Sequence, residues 1–317
     1  MSNLTNTLDI SEAPRIQRHQ IPHRLTGVMR RLMKFFSRNP SLITCVGNIG
    51  AGKSSLIKVL AFNTGMNAMF ELPDEGFEDH FVQDEAFTPL LATAKDSTKR
   101  TLGRYYGAIE DFIRCQAVEK PESPAWMVAR RNLEKGALDI QHSYLDLRKM
   151  QLQVAGNLKN STCIDGSALA DRYAFCEVLH RDMDVPYLTK SDLEVIDARL
   201  ETEFKPLPSP QLMILLHGPL DYLYQNIGER QRDEEKSDGP REETSIIPEG
   251  LSRLVKNLNR RYDDFVGVIR KEGWYEGPVL RIDVSKIDFV SKVRHLIAVY
   301  EGIEKLLASE HQQKSRH

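Results

Sequence analysis

The stretch Gly47-Asn48-Ile49-Gly50-Ala51-Gly52-Lys53-Ser54-Ser55 carries the most specific chemistry in the chain. It fits the spacing GxxxxGK[ST], follows the apolar run 41–47 and opens an unbroken helical run at Lys53, which is the context this pattern needs. Glycines let the backbone turn tightly and aim its N–H groups at phosphate oxygens, and the positive end of the following helix adds to the attraction. Lys53 is expected to reach the terminal phosphates of a nucleoside triphosphate, and the Ser54 hydroxyl to ligate Mg²⁺. The sequence has no guanine-reading NKxD and no DxxG, and the run that ends at Asp165 continues with Gly166 in place of a second acid. Switch GTPases and motor ATPases are therefore disfavoured.

Small-molecule kinases have a further requirement, a lid of arginines that closes over the transferring phosphoryl group and excludes water. The segment 229–245, ERQRDEEKSDGPREETS, holds seven acids and four bases and almost nothing apolar. A charge run of this kind is usually a solvated loop. Its position after the fourth apolar run, in a chain with a phosphate loop, makes Arg230 and Arg232 candidates for charge-stabilising clamps.

Five short apolar runs must position these residues: 41–47, 67–72, 161–165, 211–218 and 278–284. Each is continuously apolar, as in a parallel sheet covered on both faces, and helical stretches separate them. This alternation predicts an α/β doubly wound fold with a five-stranded parallel sheet. Residues 76–140 lack a strand pattern and read as a helical insertion broken at Pro89 and around KPESP, with the lid at about 228–246. The domain is expected over 41–305, after a disordered leader and before a polar tail at 306–317.

From Arg15 to Arg38 there are seven Arg or Lys and no Asp or Glu, with Leu25, Val28, Met29, Leu32, Met33 and Phe36 at helical spacing. Three readings stay open: a helix packing its apolar stripe on the domain, a basic arm touching a polyanion such as DNA, or a helix lying on a membrane surface. Composition is otherwise ordinary, with 41% hydrophobic and 28% charged residues and a formal net charge of -2, which excludes a polybasic chromatin protein and a disordered acidic tail. No apolar run approaches the ~18 residues of a membrane-spanning helix, so no membrane span is expected. Cys45, Cys115, Cys163 and Cys176 form no CxxC pair and read as reduced thiols of a cytoplasmic protein.

The ordered motifs resemble the deoxynucleoside kinase family, which moves the γ-phosphoryl of ATP to the 5′-hydroxyl of a deoxynucleoside. Family members carry a GNIxxGKS/T loop, a Glu at the end of the second strand, a helical Gln followed by an Arg about seven residues on, and a D-R-Y-x-F element after the third strand. A lid resembling R-x-R-x-E-E, an I-P…L and a last strand like P-I-L-x-L-D-V follow. Here QHSYLDLR offers Gln141 and Arg148, DGSALADRYAF offers Asp165, Ser167, Asp171, Arg172, Tyr173 and Phe175, and RQRDEE offers Arg230, Arg232 and Glu235. IIPEGLSRL and PVLRIDV complete the series, and the likeness runs from about residue 41 to 300. The resemblance implies ATP and Mg²⁺ as cofactors, a homodimer, and an acceptor held by Gln141, Arg148, Asp165, Asp171, Arg172 and Glu235. A Gln can offer a donor and an acceptor to a base edge, and Asp171 suits an amino group. The carboxylate that accepts the hydroxyl proton is Glu71 by preference, with Asp74 and Glu75 as competitors in FELPDEGF.

One position departs from the pattern. Family members place an arginine directly after the acid that ends the third strand, where this chain has Gly166. Losing such a donor costs on the order of 10²–10³ in rate, so Arg172 or Arg104 is expected to replace it, or the acceptor differs in shape. Three functions follow: a kinase of free deoxynucleosides or related nucleosides and nucleotides, a phage-type kinase of 5-hydroxymethyluracil within DNA, or a non-catalytic nucleotide-binding subunit.

Overall fold

The computed structural model describes residues 7–72, 79, 88–230 and 249–314. Its first element is a short strand, β1 (Thr7–Ile10), followed by helix α1 (Ile21–Arg38), strand β2 (Leu42–Gly47) and helix α2 (Lys53–Thr64). After β3 (Asn67–Met69) come two long helices, α3 (Thr88–Val118) and α4 (Pro124–Asn157). Strand β4 (Thr162–Asp165) leads into α5 (Ala168–Ala170), which continues as π-helical turns over Asp171–Cys176 and Val178–Asp182. The chain closes with α6 (Lys190–Arg199), β5 (Leu212–His217), α7 (Leu220–Arg230), α8 (Glu249–Lys271), β6 (Val279–Asp283) and α9 (Val293–Lys314).

Among the described residues the strands form one parallel sheet in the order β1-β6-β5-β2-β4-β3. From β2 the chain winds outward to β3 and β4 on one side, then crosses to β5 and β6 on the other. The crevice at such a reversal, beyond the carboxyl ends of the strands, is where α/β sheets bind ligands. The loop after β2 opens there.

The α/β class and the parallel sheet are as the sequence predicts, with three differences. The sheet has six strands, because Thr7–Ile10 of the expected disordered leader pairs with β6 in parallel, Ile10 opposite Ile282. TLDI is too short to declare itself; burial of Ile10 and packing of Leu8 on the core hold it. The polar tail expected from 306 is instead helical to Lys314, with Leu306 and Leu307 in the core. Finally, β3 stops at Met69, and the chain leaves the sheet before Glu71.

α1 sets Val28, Leu32 and Phe36 against the core. Its Arg24 and Arg31 make two-pronged bonds to Glu301 and Glu304 of α9. The apolar face is thus packed on the domain, and two of the basic residues are spent on carboxylates of the same chain. Where the sequence suggested a broken helical insertion, α3 and α4 form a helical pair. Pro89 sits in the first turn of α3, and KPESP marks the turn between the helices, with Ser123 capping α4 by accepting from Trp126 N. No helix among the described residues is long and apolar enough to cross a membrane.

Candidate functional site

The phosphate loop is made of backbone held from two sides. Gly52, in the left-handed region at φ 84°, precedes Lys53, the first residue of α2; a side chain would be strained there. The buried Asn48 donates through Nδ2 to Val255 O at 2.8 Å and accepts from Ile49 N at 2.8 Å, which ties the loop to α8. Asn226 of α7 donates to Gly50 O at 2.8 Å from the other side. Lys53 Nζ lies over the loop, donating to Gly47 O at 3.1 Å and Asn48 O at 3.2 Å. Ala51 is buried, and Ser55 lies in the first turn of α2.

Ser54 Oγ donates to Asp165 Oδ2 at 2.5 Å. The other carboxylate oxygen, Asp165 Oδ1, is buried with no hydrogen-bond partner. Burial raises the Asp165 pKa against the downward pull of Lys53. An orphaned carboxylate oxygen beside a hydroxyl at the head of a phosphate-binding helix suits Mg²⁺, which takes few protein oxygens and completes its shell with phosphates and water. No cluster of three or more His, Cys, Asp or Glu that could hold a metal exists among the described residues.

Opposite the loop lies a cavity of about 90 Å³ whose walls include Lys53, Glu71, Gln141, Arg148 and Asp171. Glu71 is brought there by the end of β3. Phe70 N donates to Asp79 Oδ1 at 2.8 Å, Lys95 of α3 pairs with the same oxygen at 2.5 Å, and Gln151 Nε2 donates to Phe70 O at 3.1 Å. Burial lowers the Lys95 pKa, against the pull of Asp79.

Arg148, 2% exposed, is the hub of the cavity wall. Its Nη2 donates to Glu71 Oε2 at 2.6 Å, its Nε to Asp171 Oδ2 at 3.0 Å, and its Nη1 to Asp165 O at 2.6 Å and Gln151 Oε1 at 3.2 Å. Burial pulls the Arg148 pKa down, but the carboxylates of Asp171 and Glu71 outweigh it and the net shift is upward. For Asp171 the balance goes the other way. Burial outweighs the guanidinium and pushes the carboxyl up to about 6.

A model of the deoxynucleoside kinase family matches residues 43–308. The chain belongs to this family. Two solved structures of deoxyadenosine kinase from M. mycoides are similar to it. The one with bound dATP is 18% identical, covering 81% of this chain and 96% of that chain at a TM-score of 0.48. The one with bound dCTP is 17% identical, covering 82% and 97% at a TM-score of 0.48. No curated protein matches the sequence.

In this member of the deoxynucleoside kinase family, the expected site residues fall into three groups. Lys53, Glu71, Gln141, Arg148 and Asp171 meet at one cavity, with Gly47 and Ile49 of the loop also in its wall. Asp165, expected toward the acceptor, turns its carboxylate to Ser54 on the phosphate side. Arg172 does not line the cavity: its Nε and Nη2 hold both oxygens of Asp197 at 2.5 and 2.8 Å, its Nη1 holds Glu177 at 2.8 Å, and it stacks on Tyr173. Neighbours on a helical turn point about 100° apart, so when Asp171 faces inward Arg172 faces α6. Arg104 bonds Thr101 of its own helix and is also absent from the cavity wall. The structure therefore corrects both expected replacements for the missing arginine. Asp74, Glu75, Arg232, Glu235 and the side chain of Arg230 lie outside the described residues, as does most of the expected lid.

Sequence reasoning missed Gln151, Tyr105 and Tyr144. Gln151 follows Arg148 by three positions on one helix face, which was the available signal. Tyr105 and Tyr144 line the cavity from α3 and α4, and helical spacing does not distinguish them from core residues. The Tyr105 hydroxyl is buried without a partner, a polar group left for a ligand. Gln141 accepts from the Cys176 thiol at 3.3 Å through Oε1, which leaves its amide nitrogen for a partner in the cavity.

Proposed function

We propose that the chain transfers the γ-phosphoryl group of ATP to the 5′-hydroxyl of a free deoxynucleoside or a close relative. The observation that carries this reading is that Lys53 and Glu71 line one cavity, with the Ser54–Asp165 pair beside the phosphate loop. The loop amides and Lys53 bind the phosphates. Ser54 and Asp165 would hold Mg²⁺, which neutralises charge developing on the phosphoryl oxygens when bound. Glu71 accepts the proton of the attacking hydroxyl, a role in which position matters more than basicity because the transition state is loose. Gln141 and the Tyr105 hydroxyl offer hydrogen bonds to the polar edges of the acceptor. The exposed Arg24 and Arg31 are already paired with Glu301 and Glu304 of α9, which weakens the case for a DNA-gripping arm and favours a small acceptor over a polynucleotide.

Labelled ATP supplied with each free deoxynucleoside, each deoxynucleoside monophosphate and duplex DNA carrying 5-hydroxymethyluracil tests this, with Lys53→Ala as the blank. The expected result is transfer to at least one free deoxynucleoside and none in the variant, which should keep its melting temperature. Transfer to DNA alone would replace the acceptor assignment, and ATP binding without transfer to anything would leave a nucleotide-binding subunit.

A further inference from the structure

Gly166 and Arg148 occupy one space. Gly166 stands in the left-handed region at φ 86°, and a Cβ built on it would lie 2.1 Å from Arg148 Nη2, 2.4 Å from Cζ and 2.8 Å from Nη1. The guanidinium therefore rests over the bare backbone of residue 166, and no other residue type there would leave it in place. The backbone helps to seat it: Thr44 Oγ1 donates to Gly166 O at 2.6 Å, and Gly166 N donates to Cys45 O at 2.8 Å.

Arg148 has five N–H groups and makes four hydrogen bonds. Nε and Nη1 are fully engaged by Asp171, Gln151 and the Asp165 carbonyl. Nη2 gives one N–H to Glu71 and keeps the other. Arg148 and Gly166 also line a second cavity of about 190 Å³, whose walls include Leu200, Phe204 and Trp274, so Arg148 stands between that cavity and the one holding Glu71 and Lys53. A planar cation locked on three sides, with one donor left next to the carboxylate that faces the phosphate loop, has the form of a preorganised transition-state donor.

We propose that Arg148, admitted by the gap at Gly166, gives its remaining Nη2 N–H to the attacking oxygen of the acceptor and the phosphoryl group in transit, and that it does not read the base. This deepens the phosphotransfer reading above and rests on it. No bond changes beyond that transfer are involved: the hydroxyl proton passes to Glu71, and Arg148 stays protonated throughout.

Arg148→Lys is the variant to measure, because it keeps a buried cation for Asp171 while losing the planar fork. Gly166→Ala is its counterpart, displacing the guanidinium without removing it. Turnover and KM would be measured for every deoxynucleoside the wild type accepts, alongside ATP affinity and melting temperature. The expected result for Arg148→Lys is a fall of about 10²–10³ in kcat, equal for all bases, with ATP affinity and melting temperature little changed. Gly166→Ala should lower kcat in the same uniform way. If Arg148→Lys instead raises KM for some bases and spares kcat, Arg148 is a base reader and the inference falls while the kinase reading stands. Loss of kcat only in step with loss of melting temperature would make Arg148 structural and also overturn it. If the wild type transfers to nothing, the kinase reading itself fails, and this inference fails with it.

Discussion

The two walls of the cavity are built by different means. On the phosphate side, nine consecutive residues from Gly47 to Ser55 supply a loop whose active groups are backbone amides and one lysine. On the expected acceptor side, Glu71, Gln141, Arg148 and Asp171 come from three separate stretches of chain and meet through side chains, beside the bare backbone of Gly166. The first wall needs only glycines and a helix N-terminus to be competent for an anion. In the second, each member depends on another: Asp171 and Gln151 hold Arg148, and Arg148 and the end of β3 hold Glu71. Errors on the phosphate side should therefore be local, whereas on the acceptor side they should propagate.

The largest effect expected from the second wall is that of Glu71→Gln. It keeps the size of the side chain and removes the proton acceptor, so kcat should fall about 10²–10⁴-fold with ATP affinity unchanged. Single-turnover phosphoryl transfer alongside ATP titration checks this, and an equal loss of ATP affinity would erase the distinction between the walls.

Next comes pH. The Asp171 carboxyl is raised to about 6 by burial. As pH falls through that value, Arg148 loses a charged acceptor, and kcat/KM for the acceptor should drop about tenfold per unit. Stability should move the other way. The folded pKa lies above the ordinary aspartate value, so this group stabilises the protein at low pH and the contribution is lost as pH rises through about 6; Asp165, also raised by burial, acts in the same sense. Melting curves and acceptor kinetics between pH 5 and 8 check both signs, and Asp171→Asn should flatten both profiles.

The smallest effect belongs to Tyr105→Phe. Losing one hydrogen bond to the acceptor should raise its KM about 3–10-fold. Removing a buried hydroxyl that has no partner in the folded protein should leave the melting temperature unchanged or higher. An unchanged KM would take Tyr105 out of the acceptor site.

Much of the fold was legible because it rests on local pattern. The continuously apolar runs at Leu42–Gly47, Thr162–Asp165 and Leu212–His217 and the breaker at KPESP were placed by sequence and are found in the structure. β1 was not legible, since four residues carry no period of their own and only pairing with β6 makes them a strand. The candidate site divides in the same way. Gln141 and Asp171, expected toward an acceptor, line the cavity that also holds Lys53 and Glu71, whereas the adjacent Arg172 turns to Asp197 and Glu177. Adjacency in sequence gave no means of telling Asp171 from Arg172, because which of two neighbours faces inward depends on how the π-turn at Asp171–Cys176 meets α6.

The amino-acid sequence alone determined the phosphate loop and the alternation of strand and helix that sets it at the reversal of the sheet, because both are carried by residues close together along the chain. Only the tertiary structure decided which side chain occupies the space left bare at position 166. Arg148 arrives from a different helix into a volume left by the absence of a side chain, and a volume shared by residues 148 and 166 exists only once the chain has folded.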